Sequence, residues 1–380
     1  MSDIHASLSI NLDIGLLQAA LPLLAGEEVE ALEWSFDTHF KQPDLPDWFS
    51  ELLQTYSEAG RLVGHGVFFS LFSGRWLPEQ AAWLQELRDL TQCFRFDHIS
   101  EHFGFLTGAD FHKGAPLSVP YNAQSLAVGR DRLTRIADAC GCPVGLENLA
   151  FASSTDAAQV HGEFLEALLG PVNGFVILDL HNLYCQLHNF GLEASEMLAV
   201  FPLHRVREIH ISGGSWEPSA HRPHPGVRRD THDDRVPEEV FALLAQTMPR
   251  CPNLRFVVLE HMGFVLAADQ EQIDYRDDFR RMRALVHAEQ ARRDRFLNSP
   301  APNLFLPPPL SLSPLPLEDL ALYQQQQTLS NILESSDSLA VTQVAIQHSI
   351  LAGTDWDIAT WDPAMLETAR LIAGKWRDGF

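Results

Sequence analysis

The chain has 380 residues, of which 46% are hydrophobic and 20% charged, a composition typical of a globular protein with a sizeable core. Its formal net charge of −23 opposes binding to phosphate backbones, so we expect no nucleic-acid partner. The sequence shows neither a long apolar run nor a secretory signal, and its five cysteines are an odd number. We therefore expect a cytoplasmic protein with free thiols and no membrane partner.

Short apolar runs alternate with amphipathic helical stretches such as Pro78–Thr91 and Leu126–Ala139 over the first 290 residues. Near-continuous apolar strands separated by helices indicate a parallel sheet covered on both faces. Eight such units predict an α/β fold of the (β/α)8 TIM-barrel type. The alternative, an open doubly wound sheet, normally has a glycine-rich turn after its first strand, and the sequence has none there. The eight predicted strands are Ser7–Leu12, Val29–Phe36, Leu62–Phe69, Phe94–Ile99, Pro143–Asn148, Gly174–Leu180, Val206–Ile211 and Arg255–Glu260.

The composition changes after the predicted barrel, which we assign to residues 1–290. A proline-rich segment within 291–316 cannot continue a helix and predicts a linker, or a strap lying on the barrel. Residues 317–380 then predict a small helical extension, with helices at Leu317–Ser336 and Pro363–Trp376 and with Trp356 and Trp361 available for its core. A unit of about 60 residues is marginal by itself, so we expect it to pack on the barrel or on a partner.

Histidines and carboxylates stand at or just after the ends of most of the later strands. In a barrel these ends converge on one rim, where active sites lie. Imidazole and carboxylate together suit iron, zinc or manganese, and carboxylates can bridge two ions, so the set favours a multinuclear metal site. The predicted ligands are His65, His102, Glu147, Asp179, His210, Asp230, His232 and Glu260.

Each of these residues taken alone is more often structural than a ligand. Packing all of them at one rim without cations would be costly, and this joint argument favours the metal site. Asp230 and His232 are two positions apart, so on extended chain both side chains would point to the same side. Glu33, at the end of the second strand, is compatible with either a structural ion pair or a supporting role, and His181 stays ambiguous.

A series of short motifs resembles the multinuclear non-heme iron-dependent oxidative enzymes, formerly a domain of unknown function. The resemblance covers roughly residues 7 to 290. It implies a TIM barrel that binds two or three iron ions and uses dioxygen to modify cysteine and other residues of ribosomally synthesised peptides. It also implies a peptide-recruiting partner protein or domain. The motifs are GHGV at His65, SEH at His102, LEN at Glu147, LDxxN from Asp179 to Asn182, HNFG at Asn189, IHxxGG at His210, DTHDxxVP from Asp230 to Pro237, and LE at Glu260.

Carried onto this chain, the resemblance assigns all eight predicted ligands to metal-binding positions, and Asn182 and Asp233 become candidate catalytic residues. The chain departs from the family pattern after its first strand, where Ser9–Asp13 replaces a glycine-rich segment that contains arginine. The tail after residue 290 is not covered. It is compatible with a fused form of the peptide-recruiting partner or with a stabilising extension.

Two other classes of function remain open at this stage. The order of the ligands is similar to that of the apurinic endonucleases and sugar isomerases of the xylose-isomerase-like superfamily, which would make the chain a hydrolase or isomerase using zinc, manganese or magnesium. The endonucleases typically have histidine where this chain has Asn182, and the negative charge argues against DNA. A catalytically inactive peptide-binding scaffold is disfavoured because no ligand position is lost.

Overall fold

The computed structural model describes residues 3–40, 44–106, 116–295 and 304–378. Within these ranges, eight parallel strands close a barrel in which each strand pairs with its neighbours in sequence and the last strand pairs with the first. The predicted TIM barrel is therefore confirmed. The strands are β1 (His5–Ile10), β2 (Ala31–Trp34), β3 (Leu62–Gly66), β4 (Ile99–His102), β5 (Val144–Glu147), β6 (Phe175–Asp179), β7 (Val206–Ile211) and β8 (Phe256–Leu259).

Helices cover the outside of the barrel, and several of them begin at a capping side chain. Asp13, for example, accepts a hydrogen bond from the backbone N–H of Leu16 at 3.0 Å and so starts the first helix. In the described ranges, none of the helices is both long enough and apolar enough to traverse a bilayer. The helices are α1 (Ile14–Ala25), α2 (Asp47–Glu58), α3 (Pro78–Cys93), α4 (Ala123–Cys140), α5 (Thr155–Leu169), α6 (Leu180–Phe190), α7 (Ala194–Val200), α8 (Glu238–Thr247), α9 (Asp269–Asp294), α10 (Leu320–Ser335), α11 (Leu339–Gln347) and α12 (Pro363–Asp378).

The fourth strand was placed wrongly by the sequence analysis, at Phe94–Ile99 instead of Ile99–His102. Phe94 ends α3, where its backbone N–H donates to Leu90, and its ring lies 5.8 Å from that of Trp34. Phe96 stacks on the same indole at 6.4 Å. These two apolar residues therefore pack between the barrel and its helices. Because β4 starts later, His102 is the last residue of the strand and not a residue after it.

A column of polar side chains runs through the barrel interior beneath the rim. The two nitrogens of His98 lie 2.9 Å from Asp97 Oδ1 and 2.8 Å from Glu208 Oε2. The second carboxylate oxygen of Glu208 lies 2.7 Å from His210 Nε2. Arg207 contacts Asp97 at 2.7 Å, at the lower end of this column. Although burial opposes protonation, the carboxylates of Glu208 and Asp97 raise the pKa of His98, which favours its charged form in the barrel interior.

Residues 304–319, which follow the predicted linker's undescribed part, lie along the outside of the barrel as a strap. Residues 296–303 of the predicted linker lie outside the described residues. Phe305 is buried, with its ring 6.1 Å from that of Phe175 at the start of β6. Arg135 and Arg132 on α4 then donate to the backbone oxygens of Ser313 and Leu317, both at 2.9 Å. The strap thus leads the chain from the lower mouth of the barrel towards its upper rim.

The C-terminal helices pack against one another and onto the upper rim. Trp356 and Trp361 are buried, and their rings lie 5.7 Å from Phe105 and 5.9 Å from Phe151 respectively. Gln326 on α10 donates to the backbone oxygen of Phe72 at 2.7 Å. These contacts fix the extension against loops that follow β3, β4 and β5.

We predict that His161 makes the stability of the fold dependent on pH. Its ring is buried on α5, 4.5 Å from that of Phe103, and burial lowers its pKa to about 4. The unfolded chain takes up this proton near pH 6.5 and the native chain only near pH 4, so protonation favours unfolding throughout that window. Between pH 7 and pH 5 this one group should remove about 2 kcal/mol from the free energy of unfolding.

Urea unfolding of the parent and of His161→Leu at both pH values measures this effect. The variant loses a hydrogen-bond acceptor for Leu149 at either pH, so that cost cancels in the comparison. We expect the variant to lose less stability on acidification than the parent. Equal losses in the two proteins would contradict a neutral, buried His161.

Candidate metal centre

Three strand ends form the first group of potential ligands. His65 is the last residue but one of β3, before Gly66, while His102 and Glu147 are the last residues of β4 and β5. Glu147 Oε2 lies 3.1 Å from His65 Nε2 and 3.3 Å from His102 Nε2, and the two histidine nitrogens are 3.4 Å apart. Despite the opposing effect of burial, the hydrogen bond with Glu147 and the charges of Glu33 and Glu147 raise the pKa of His65 to about 10.

Contacts behind His65 bear on which ring nitrogen carries the proton. Ser100 Oγ lies 3.2 Å from the backbone oxygen of Gly64, which can accept its proton. When Ser100 makes that hydrogen bond, the contact of 2.9 Å between Ser100 Oγ and His65 Nδ1 uses the Nδ1 proton. In neutral His65 the lone pair is then on Nε2, the nitrogen that faces His102 and Glu147.

A second group shares Glu147 with the first. It adds Asp179, His210 and Glu260, and one ligand atom from each of the four residues lies within 4.8 Å of the others. His210 Nδ1 is 3.0 Å from Glu260 Oε2. Asp179 ends β6 and also caps α6, where its Oδ1 accepts the backbone N–H of Asn182 at 2.5 Å. Its second oxygen remains available to the group.

Asp230 and His232 join the second group from the loop after β7. His232 Nε2 lies 3.0 Å from Asp230 Oδ1 and 3.9 Å from Glu260 Oε2. The expectation that the two residues lie on extended chain is wrong, since His232 has a φ of +53°, in the left-handed region. They meet because the chain turns sharply between them. The backbone oxygen of His232 accepts the N–H of Met262 at 2.8 Å, which ties this turn to the end of β8.

His181, which the sequence left ambiguous, is a buried partner of Asp230. Its Nδ1 lies 3.0 Å from Asp230 Oδ1, and its Nε2 lies 3.2 Å from a guanidinium nitrogen of Arg228. Because arginine can only donate, Nε2 accepts and Nδ1 carries the proton that His181 donates to Asp230. Burial lowers the pKa of His181, consistent with this neutral form.

Arg228 is itself held by several contacts. Its backbone N–H donates to Asn189 Oδ1 at 2.8 Å, and Asn189 Nδ2 donates back to its backbone oxygen at 3.0 Å. The guanidinium lies 5.1 Å from the ring centre of Trp216 and 5.6 Å from that of Tyr184. In the sequence, only Asn189 carried a signal, as part of a motif that resembles the family, while the contacts of Arg228 depend on residues brought together in three dimensions.

Two glutamates stand behind His210. Its Nε2 lies 2.7 Å from Glu208 Oε1 and 3.0 Å from Glu33 Oε2. Glu33 is thus paired with a predicted ligand, while the sequence analysis missed Glu208. A signal existed, because Glu208 and His210 are two apart in one strand and so point to the same side.

The two candidate catalytic residues lie in different surroundings. Asn182 Nδ2 donates to Glu147 Oε1 at 2.9 Å and to the backbone oxygen of Asn148 at 2.8 Å, which orients the shared carboxylate. Asp233 accepts a hydrogen bond from the Thr231 hydroxyl at 2.5 Å. Among the described residues that line the cavity above the centre, Asp233 does not occur. The catalytic roles of Asn182 and Asp233 both stay predictions.

The donor atoms of these groups fit a cation. Burial raises the pKa of Asp179 well above its usual range, and the charges of Asp230, Glu147 and Glu260 raise it further. Over the residues that the structure describes, several buried atoms at the centre make no hydrogen bond, and five of them belong to the second group, although some lie close to a polar neighbour. Metal ions would satisfy these atoms and compensate the carboxylate charge. The five atoms are Glu147 Oε2, Asp179 Oδ2, His210 Nδ1, His232 Nε2 and Glu260 Oε2.

A cavity of about 270 Å³ opens above the centre. His102, Glu147, Asp230 and His232 form part of its lining together with Asn182. Its other walls are mostly apolar and come from loops at the rim and from the C-terminal extension. The apolar lining residues include Leu149, Ala150, Phe151, Val227, Met262, Met365 and Ile372.

Comparison with solved structures identifies similar barrels at low sequence identity. A xylose isomerase-like TIM barrel/4-hydroxyphenylpyruvate dioxygenase fusion protein matches with a TM-score of 0.50 and 14% identity, over 81% of this chain and 46% of that one. A xylose isomerase domain protein from Planctomyces limnophilus gives a TM-score of 0.49 and 17% identity, over 76% of this chain and 99% of the other. At such identities the similarity concerns the fold.

Sequence relatives carry the name UPF0276 protein. That of Acaryochloris marina is 29% identical over 225 residues, which are 55% of this chain and 77% of the relative. The protein from Anaeromyxobacter sp. is 30% identical over 192 residues, covering 50% of this chain and 64% of the relative. For one from Caulobacter vibrioides, 28% identical over 180 residues, the match covers 47% of this chain and 61% of that protein. The chain thus spans less than two thirds of the Anaeromyxobacter and Caulobacter proteins.

A family model described as RiPP precursor modification enzyme MbnB/TglH/ChrH matches residues 26–269. RiPPs are peptides made on the ribosome and modified afterwards. The matched segment contains β2 to β8 and all eight predicted ligands. It confirms the resemblance drawn from the motifs at the strand ends. The chain therefore belongs to the MbnB/TglH/ChrH family of RiPP precursor modification enzymes.

Proposed function

We propose that this enzyme binds more than one iron ion and uses dioxygen to oxidise a residue, most simply a cysteine, of a ribosomally synthesised precursor peptide. The observation that carries the proposal is the position of Glu147, which belongs to two adjacent groups of potential ligands. A carboxylate shared in this way suits neighbouring metal ions. The mixture of imidazole and carboxylate ligands suits iron, with zinc and manganese as the competitors.

The substrate assignment rests on the family and on the cavity. The family modifies RiPP precursors, and a space of about 270 Å³ beside His102 and Glu147 suits the side chain of one peptide residue. A cysteine thiolate is a soft ligand that iron binds well. We also propose that a peptide-recruiting partner protein presents the rest of the precursor, because the cavity holds only a small part of a peptide.

The roles of the protein's own residues follow from their contacts. When bound, the iron ions would supply the redox chemistry and the binding of dioxygen. His65, His102, Glu147, Asp179, His210, Asp230, His232 and Glu260 would hold them. Asn182 orients Glu147, and the pair Arg228–His181 orients Asp230. The apolar walls exclude water from the reacting peptide residue.

Protein purified without oxygen is expected to contain more than one equivalent of iron per chain and to consume oxygen in the presence of its precursor peptide. The physical reason is the number of converging donor atoms, which exceeds what one ion needs. Elemental analysis and an oxygen electrode measure both quantities. Zinc alone, with no oxygen uptake after reconstitution with iron, would favour the hydrolase or isomerase instead.

Replacing Glu147 by alanine should lower the metal content more than replacing His102, because Glu147 belongs to two ligand groups and His102 to one. Both variants should keep the fold, since these side chains lie at the rim above the packed interior. Elemental analysis and circular dichroism test this. His204→Ala, which removes an exposed histidine at the other end of β7, is the control. Full metal content in both rim variants would overturn the ligand assignment.

His181→Leu should weaken metal binding by about 10- to 100-fold, the usual effect of removing a residue that orients a ligand. The variant leaves Asp230 without the proton donor that fixes its position. Competition with a metal-sensitive dye measures the affinity. His161→Leu makes the same exchange at a buried histidine of α5 outside the candidate ligand groups, and it should leave the affinity unchanged. The same affinity in both variants would show that Asp230 does not need His181.

A further inference from the structure

The C-terminal helix α12 forms one wall of the cavity above the metal centre. Met365, Thr368 and Ile372 line the same space as His102 and Glu147. The three residues follow one another at spacings of three and four, so they lie along one face of the helix. Met365 and Thr368 are only 2% and 3% exposed, so this face is closely packed.

Polar contacts on both sides hold α12 in this position. The backbone N–H of Asp362 donates to Ser153 O at 2.9 Å, in the loop after β5. Arg222, in the loop after β7, pairs with the Asp362 carboxylate at 2.7 Å. In the same loop the Ser219 hydroxyl donates to Glu367 at 2.9 Å. The helix therefore bridges two loops that themselves carry or border predicted ligands.

This wall lies outside the part of the chain that defines the family. The family model ends at residue 269, whereas α12 begins at Pro363. The ligands and the wall thus come from different parts of the sequence. In a cavity of about 270 Å³, a change of a few methyl groups in one wall alters which side chains can enter.

We infer that α12 sets the size of the residue that can reach the metal-binding side chains, with Ile372 and Thr368 as its specificity-determining residues. The inference rests on the proposed function in one respect, that the group entering the cavity is a residue of a precursor peptide. It concerns access alone, so it can be tested without metal, peptide or turnover.

A thiol introduced at the cavity wall by Ala150→Cys reports access. Ala150 lines the cavity and is partly exposed. The metal-free full-length protein is treated with N-ethylmaleimide, which is small, or with N-pyrenylmaleimide, which is bulky. Mass spectrometry compares labelling of the introduced thiol with that of Cys93, an exposed native cysteine on α3. The ratio of labelling by the bulky reagent to labelling by the small one measures the size of group that the cavity admits.

Ile372→Trp and Ile372→Ala are compared in this background with Gly374→Ala. A Cβ at Gly374 meets no atom within 4 Å, so this control adds bulk to the same helix without touching the cavity. We expect Ile372→Trp to lower pyrenyl labelling by about tenfold relative to Cys93, and Ile372→Ala to raise it several-fold. Labelling by N-ethylmaleimide should change much less. Labelling of the Gly374→Ala variant by either reagent should equal that of the parent.

Equal ratios in all variants would overturn the inference. A change in labelling that is equal at Cys93 and at the introduced thiol would also overturn it, since such a change would reflect a general loosening of the fold. If Ile372→Trp does not fold, as judged by circular dichroism, Ile372→Ala alone decides the question. A failure to bind iron would count against the proposed function and leave this result intact.

Discussion

The burial of like charge at one end of the barrel is the constraint on which the rest of this structure depends. Glu147, Asp179 and Glu260 converge within a few ångströms, and their mutual repulsion and desolvation oppose folding unless cations or donors compensate them. The protein supplies donors on the outer side of its ligands, such as Asn182 for Glu147. On the inner side, one potential ligand atom each of Glu147, Asp179, His210, His232 and Glu260 makes no hydrogen bond, an arrangement that suits a metal site.

The supporting contacts extend far beyond the rim. His210 contacts Glu208, and Glu208 contacts His98. His98 in turn contacts Asp97 at the opposite end of the barrel. An ordinary barrel of this type fills its interior with layers of branched apolar residues. Here part of that volume holds buried histidines and carboxylates, each of which is paired with another ionisable group. The interior therefore cannot be repacked independently of the site, because an apolar replacement would leave a charged neighbour unpaired.

The sequence was sufficient for the architecture and for most of the candidate site. Seven strands were located because each is an apolar run bounded by polar residues, and strand ends in a barrel must share a rim. The prediction of the fourth strand was wrong because Phe94 and Phe96 are apolar for a different reason, their packing on Trp34 outside the barrel. His181 could not be assigned, since its role depends on Arg228, which is distant in sequence and reaches it only through the fold.

The position of α12 also has a consequence for the order in which the protein is made. A ribosome completes Glu260, the last of the predicted ligands, 112 residues before it reaches Ile372, and N-terminal parts of a chain generally fold first. The emerging barrel can therefore assemble its ligand groups while the side later covered by α12 is still open to solvent. Vectorial synthesis would thus offer an interval in which metal ions could reach an uncovered site, before α12 completes the wall of the cavity.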